Sequence, residues 1–141
     1  MSGEARARRR HDARARRRRA FADHPAEYAA DADRPGIAYV GLQGALPDWL
    51  TTFPEADAVL VMPHWGPNMT AEPTRYVRRN AHALLEAGAT IVAGHSAHVF
   101  HGVAPRVLYD LGDFLDDYRV DRKLRNDLGA CSSSSTSPAS G

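Results

Sequence analysis

Ala58-Val59-Leu60-Val61-Met62 is a short continuous apolar run, the pattern of a strand buried on both faces, and it stops at Pro63-His64-Trp65-Gly66. The period then changes. Over 72–87, Val77, Ala81, Leu84 and Leu85 recur at near-helical spacing, and Gly88 supplies a C-terminal stop. Thr90-Ile91-Val92-Ala93 returns to the character of a buried strand, and a third strand is predicted over 106–110. Strand, helix, strand and a further strand predict an α/β fold with a mainly parallel, helix-covered sheet. Upstream, Pro47-Asp48-Trp49-Leu50 opens a short helix with Trp49 and Phe53 as core contacts, and 37–40 reads as another short strand.

The ends do not share this patterning. Residues 1–20 read as a disordered Arg-rich leader without apolar periodicity, 21–129 as the globular body, and 130–141 as a flexible Ser-rich tail. The leader holds nine Arg against only Glu4 and Asp12, so a +7 segment precedes a −6 body within an overall charge of +1. That asymmetry makes non-specific nucleic-acid binding through residues 5–19 the alternative function to weigh. The leader has no aromatic residue for stacking on bases, which disfavours nucleic acid as the partner. The abrupt change of composition at both ends also fits flanks read out of frame around a genuine segment.

The body, 43% of the whole chain being apolar and 25% charged, is ordinary for a single soluble domain. One cysteine, Cys131, excludes an intramolecular disulfide. No secretory signal and no membrane-spanning apolar stretch is visible, so a cytoplasmic location is expected.

Candidate chemistry gathers at strand ends, where ligands of open α/β sheets bind. His64 follows the first predicted strand, and Gly94-His95-Ser96-Ala97-His98 follows the second. Neutral imidazoles are good ligands for borderline divalent metals, so His64, His95 and His98 are the predicted metal-facing residues. The plain alternative is that these histidines only hydrogen-bond backbone. Gly94, lacking a Cβ, lets the chain turn and bring His95 towards an ion. His101 stands either behind His98 or in solvent. Asp110 and Asp113, in the acidic stretch 109–118, can orient a ligating imidazole through its other nitrogen, whereas Asp116 and Asp117 read as cap or surface residues. His82 falls on a solvated helix face, and His11 and His24 lie away from the predicted strand ends.

With these motifs in their order, HWGPNM at 64–69, AGA at 87–89, GHSAHVFHGV at 94–103 and LYDLGDFLDDY at 108–118, the chain resembles the C-terminal portion of the CapA family. That family is associated with poly-γ-glutamate capsule biosynthesis and is similar to calcineurin-like metallophosphatases. The resemblance covers about 21–129. It implies a four-layer α/β-β/α sandwich, here partial, and a two-metal site holding Mn, Zn or Fe, onto which His64, His95 and His98 map. It also implies capsule-polymer synthesis machinery as partner. Asp113 stands where the family commonly has the Asn of a Gly-Asn-Phe motif. The family's upstream Gly-Asp, Asn-Leu-Glu and Asn-Asn-His motifs are not found, so the resemblance implies a fragment that lacks an N-terminal half-domain. Such a fragment keeps the His-rich half of the site, and independent hydrolase activity is not expected of it.

Overall fold

The computed structural model describes residues 16–113, 120–124 and 126. Residues 1–15 of the expected leader, the expected tail and the carboxylates Asp116 and Asp117 lie outside the described residues.

Among the described residues the fold is α/β, with one mixed sheet of five strands. In chain order these are β1 (Arg16–Ala22), β2 (Ala58–His64), β3 (Ile91–Ala93), β4 (Val103–Ala104) and β5 (Val107–Leu108), with helices α1 (Asp48–Thr51) and α2 (Arg75–Glu86). The spatial order is β1-β2-β3-β5-β4. All neighbouring pairs are parallel except β4 with β5, which form a short antiparallel pair. The predicted strands at 58–62, 90–93 and 106–110 and the two helices are therefore present, some with shifted ends. The 37–40 segment contributes only isolated bridges, Ala29 with Ile37 and Ala22 with Tyr39.

The leader is where the structure departs most from expectation. Residues 16–20, read as disordered, make up most of β1, which runs in register with β2 from Arg16 opposite Ala58 to Ala22 opposite His64. The physical reason is that a ladder is made by backbone N–H and C=O groups, whatever the side chains. At the outer edge of a sheet, Arg can lay its aliphatic stem along the surface and keep its head in water. Phe21 and Ala22, both buried, anchor the strand's far end.

Burial along β2 alternates: Val59, Val61 and Pro63 are buried, while Ala58, Leu60, Met62 and His64 are half-buried. The apolar run was expected to be buried on both faces, yet only one face is fully covered among the described residues. Val59, Val61 and Val92 belong to the core with Val77, Ala81 and Leu84 of α2, Leu50 of α1, and Val40 and Leu42 from the preceding loop. Trp49, expected in the core, is 42% exposed, and its neighbour Leu50 takes the buried place.

Helix α2 begins at Arg75 rather than at 72 because Pro73 precedes an extended Thr74, whose Oγ1 accepts a hydrogen bond from Val77 N at 3.4 Å. It ends as predicted at Gly88, whose φ of +108° favours glycine and lets its N–H reach Leu85 O at 3.1 Å. Buried Asn80 ties α2 to the loop before α1 by donating through Nδ2 to Leu42 O at 2.9 Å and to Tyr76 O at 2.8 Å. The core shared by Val77, Ala81 and Leu84 with Val59, Val61 and Val92 packs α2 on the sheet.

Candidate functional site

Three adjacent parallel strands deliver three loops to one rim. β1 gives way to Asp23-His24, β2 ends at His64, and β3 is followed by Gly94-His95-Ser96. The backbone holds these loops together beyond the strands: Asp23 N donates to His64 O, Trp65 N to His95 O, and His95 N to Pro63 O, each at 3.0 Å. The result is a row of imidazoles, with ring centroids 4.8 Å apart for His24 and His64 and 4.9 Å for His64 and His95. The Nδ1 atoms of His64 and His95 approach to 3.2 Å.

His24 was read as lying away from the strand ends, and the structure places it in the row. The signal was present in Phe21-Ala22-Asp23-His24, a polar pair after an apolar one, but recognising it required seeing the arginine run as a strand. His24 Nδ1 is hydrogen-bonded to Asp23 Oδ1, and His24 Nε2 lies 3.2 Å from Ser96 Oγ. Asp23 Oδ2 accepts from Gly66 N at 3.1 Å and from the Tyr76 hydroxyl at 3.4 Å. Burial, and then the nearby Asp23 carboxylate, pushes the Tyr76 phenol above its ordinary value.

The other expected residues divide. His98 Nδ1 pairs with Asp113 Oδ1 at 2.8 Å, away from the imidazole row's own contacts, and this leaves its Nε2 free of that pair. His101 donates through Nε2 to the Thr70 carbonyl at 2.7 Å. Asp110, 1% exposed, accepts from Ala97 N at 2.8 Å and from Gly112 N at 2.9 Å. It braces the backbone of the His95 loop and adds a negative field there. Gly94 works differently from the expectation of a turn. A Cβ on it would lie 2.3 Å from both Trp65 Nε1 and Tyr109 O, so its role is to let the Trp65 indole and the β5 end close over the strand.

Desolvation by burial is the main cause that lowers both His64 and His95 below the ordinary imidazole value of 6.5; the neighbouring His95 and His24 lower His64 further, and Asp110 opposes both shifts. Between the lowered folded value and 6.5 the unfolded chain binds more protons than the folded one, so this stability is complete above 6.5 and is lost as pH falls. The melting temperature should therefore drop between about pH 7.5 and about pH 5.5. A His64→Gln/His95→Gln double variant should show a shallower drop by circular dichroism, and equal slopes would refute the assignment.

Two ligands on one divalent ion at about 2.0–2.1 Å, subtending about 90–110°, stand roughly 2.9–3.4 Å apart. The 3.2 Å separation of His64 Nδ1 and His95 Nδ1 meets that spacing. His24 does not extend the set, because both its nitrogens are already engaged. Among the described residues no group of three or more His, Cys, Asp or Glu side chains that could hold a metal ion is found. The fit is thus that of two donors.

Residues 4–118 match the family described as bacterial capsule synthesis protein PGA_cap. The chain belongs to this family. The match starts inside the Arg-rich leader rather than at Phe21, as the participation of β1 in the sheet would require, and ends before the expected limit of 129. Among curated PGA_cap relatives, the PGA biosynthesis protein CapA of Bacillus subtilis is 31% identical over 94 residues, covering 64% of this chain and 25% of that protein. A Mycobacterium tuberculosis protein described as a polyglutamine synthesis accessory protein is 29% identical over 133 residues, covering 83% of this chain and 34% of its own length. The capsule biosynthesis protein CapA of Bacillus anthracis is 35% identical over 66 residues, covering 44% of this chain and 16% of that protein. This PGA_cap chain spans about a third of the length of such relatives or less. No helix among its described residues is long and apolar enough to cross a membrane.

Proposed function

We propose that this chain carries the histidine half of a divalent-metal site in a capsule-polymer biosynthesis protein, and that its work is in poly-γ-glutamate synthesis, the process named for its CapA relatives. The observation that carries this reading is the 3.2 Å convergence of His64 Nδ1 and His95 Nδ1 at the carboxyl ends of adjacent strands. In it His64 and His95 hold the ion, Mn, Zn or Fe. His98, whose Nδ1 is held by Asp113 in the carboxylate–imidazole arrangement that orients metal-binding histidines, stands outside this pair.

A bound ion would supply Lewis acidity towards a phosphoester oxygen or a water molecule. The chain's own contribution is positional: Asp110 fixes the backbone between His95 and His98, and partial desolvation favours the neutral form of His64 and His95 that binds metals. Imidazoles alone bring no negative charge to offset a pair of cations. The sheet is accordingly read as one half of a metallophosphatase-like sandwich, whose other half brings acidic ligands. The half-buried face formed by Leu60, Met62 and Ile91 is where a second layer would pack. This accords with a chain spanning about a third or less of its relatives' length. Catalysis by this chain alone is not part of the proposal, and capsule-synthesis machinery is its proposed partner.

Calorimetric titration of the chain with zinc and manganese should show one weak site, and His95→Ala should weaken it at least tenfold. Cobalt substitution offers an optical readout of the same ligands. Absence of binding by the folded wild-type chain, or equal affinity in His95→Ala, would sink the reading.

A further inference from the structure

At the end of the sheet opposite the imidazole rim, where β1, β2 and β3 begin, lies a cavity of about 420 Å³. Arg16, Arg17 and Arg18 form its basic wall, Ala58, Leu60 and Ile91 supply an apolar floor, and no carboxylate is among its lining residues. The strand register explains this division. Arg16 stands opposite Ala58, Arg18 opposite Leu60, and Leu60 opposite Ile91, so these five residues share the sheet face that α2 leaves uncovered. The three apolar residues are half-buried and the arginines are exposed.

These arginines lack a counter-charge. No ion pair among the described residues engages Arg16, Arg17 or Arg18, whereas Arg34 and Arg78 each hold a carboxylate. Two strand steps, about 6.6 Å, separate Arg16 from Arg18, less than the screening length of about 8–10 Å in ordinary salt. Like charges that close on one face repel, and an anion lying between them relieves the repulsion. A guanidinium suits a carboxylate in particular, because its planar fork donates two parallel hydrogen bonds to the two oxygens. The floor of Leu60 and Ile91 adds a second requirement, that the anion carry an aliphatic body able to cover them.

We propose that this cavity binds a γ-glutamyl chain, with carboxylates on Arg16 and Arg18 and methylenes over Leu60 and Ile91. Each γ-linked glutamate offers one free carboxylate and two main-chain methylenes, which is the combination that the wall and the floor require. The choice of γ-glutamyl among aliphatic polycarboxylates rests on the capsule-polymer reading above. It does not rest on the metal pair, which stands at the other end of the same strands. A nucleic-acid strand would match the basic wall but brings no comparable aliphatic run to the floor. At this end β1 pairs only with β2 among the described residues, so a layer packed on the open face leaves a lateral approach to the arginines.

The test uses the whole chain with a chelator present and follows the fluorescence anisotropy of a labelled short γ-glutamyl oligomer. Saturable binding is expected, weakened about tenfold or more in Arg16→Gln/Arg18→Gln. Removing the same charge at exposed positions elsewhere, in Arg75→Gln/Arg122→Gln, should change the affinity by less than about threefold. Glutamine keeps the main-chain ladder of β1, which circular dichroism checks. The wild-type chain gives a readout that needs no variant: bound oligomer should slow the modification of Arg16 and Arg18 by phenylglyoxal, followed by mass spectrometry. No saturable binding by the folded wild-type chain, no protection of these arginines, or an equal loss in both double variants overturns the site, and zinc binding at His64 and His95 stands or falls separately. An oligonucleotide of equal charge that displaces the label as well as unlabelled oligomer does would overturn the γ-glutamyl assignment in favour of nucleic acid.

Discussion

Gly94→Ala should destabilise this protein by about 2–4 kcal/mol, the sum of overpacking a tight site and losing a buried hydrogen bond. The added methyl would sit 2.3 Å from Trp65 Nε1 and from Tyr109 O, and 2.9 Å from Trp65 Cε2. None of these atoms can yield cheaply. Trp65 is 1% exposed and donates through Nε1 to Tyr109 O at 2.9 Å, so moving the indole breaks that bond, and moving Tyr109 drags the end of β5 from β3. A fall in melting temperature of about 10 °C or more follows for a domain of this size. Gly44→Ala is the control, since nothing lies within 4 Å of a Cβ there and its φ is unremarkable. Equal melting of the two variants would show that the Trp65 packing is not as described.

Asp110→Ala should cost about 3 kcal/mol in urea unfolding, because it leaves the buried Ala97 N–H and the half-buried Gly112 N–H without their acceptor. Asp110→Asn keeps a single acceptor oxygen and should fall between wild type and alanine. The loss is not only one of stability. Ala97 lies between Ser96 and His98, so releasing its N–H frees the loop that presents His95, Ser96 and His98 together. An alanine variant as stable as wild type would mean that Asp110 is not the brace of this loop.

Much of the architecture was legible in the residue pattern because two short apolar runs and one amphipathic stretch are decisive wherever one sheet face is covered. The stop signal at Gly88 acts through local backbone geometry, so the end of α2 could be read from sequence alone, whereas its start at Thr74 was placed two residues early. β1 could not. Four arginines in a row carry no information about a ladder whose hydrogen bonds belong to the main chain, and only the pairing partner, β2, gives the strand its reason to form. The same blindness removed Asp23 and His24 from the candidate site, since a polar pair becomes chemically interesting only once a strand delivers it beside His64. His64 and His95 were legible because each directly follows a recognisable strand. His98 is a subtler case: spacing places it near His95, but the positive φ at Ser96 and His98 turns the loop so that His98 meets Asp113.

Among the described residues β1 pairs along its length with β2 and is joined on its other side only through Ala22, which bridges Tyr39, and it is the strand that brings Asp23 and His24 to the rim. The cavity wall that these two residues form there therefore depends on an edge strand of the sheet. Peeling that strand away would take the Asp23 carboxylate and the His24 ring with it while β2, β3 and α2 kept their order, so the chemistry of the rim could be dismantled at far less cost than unfolding the domain.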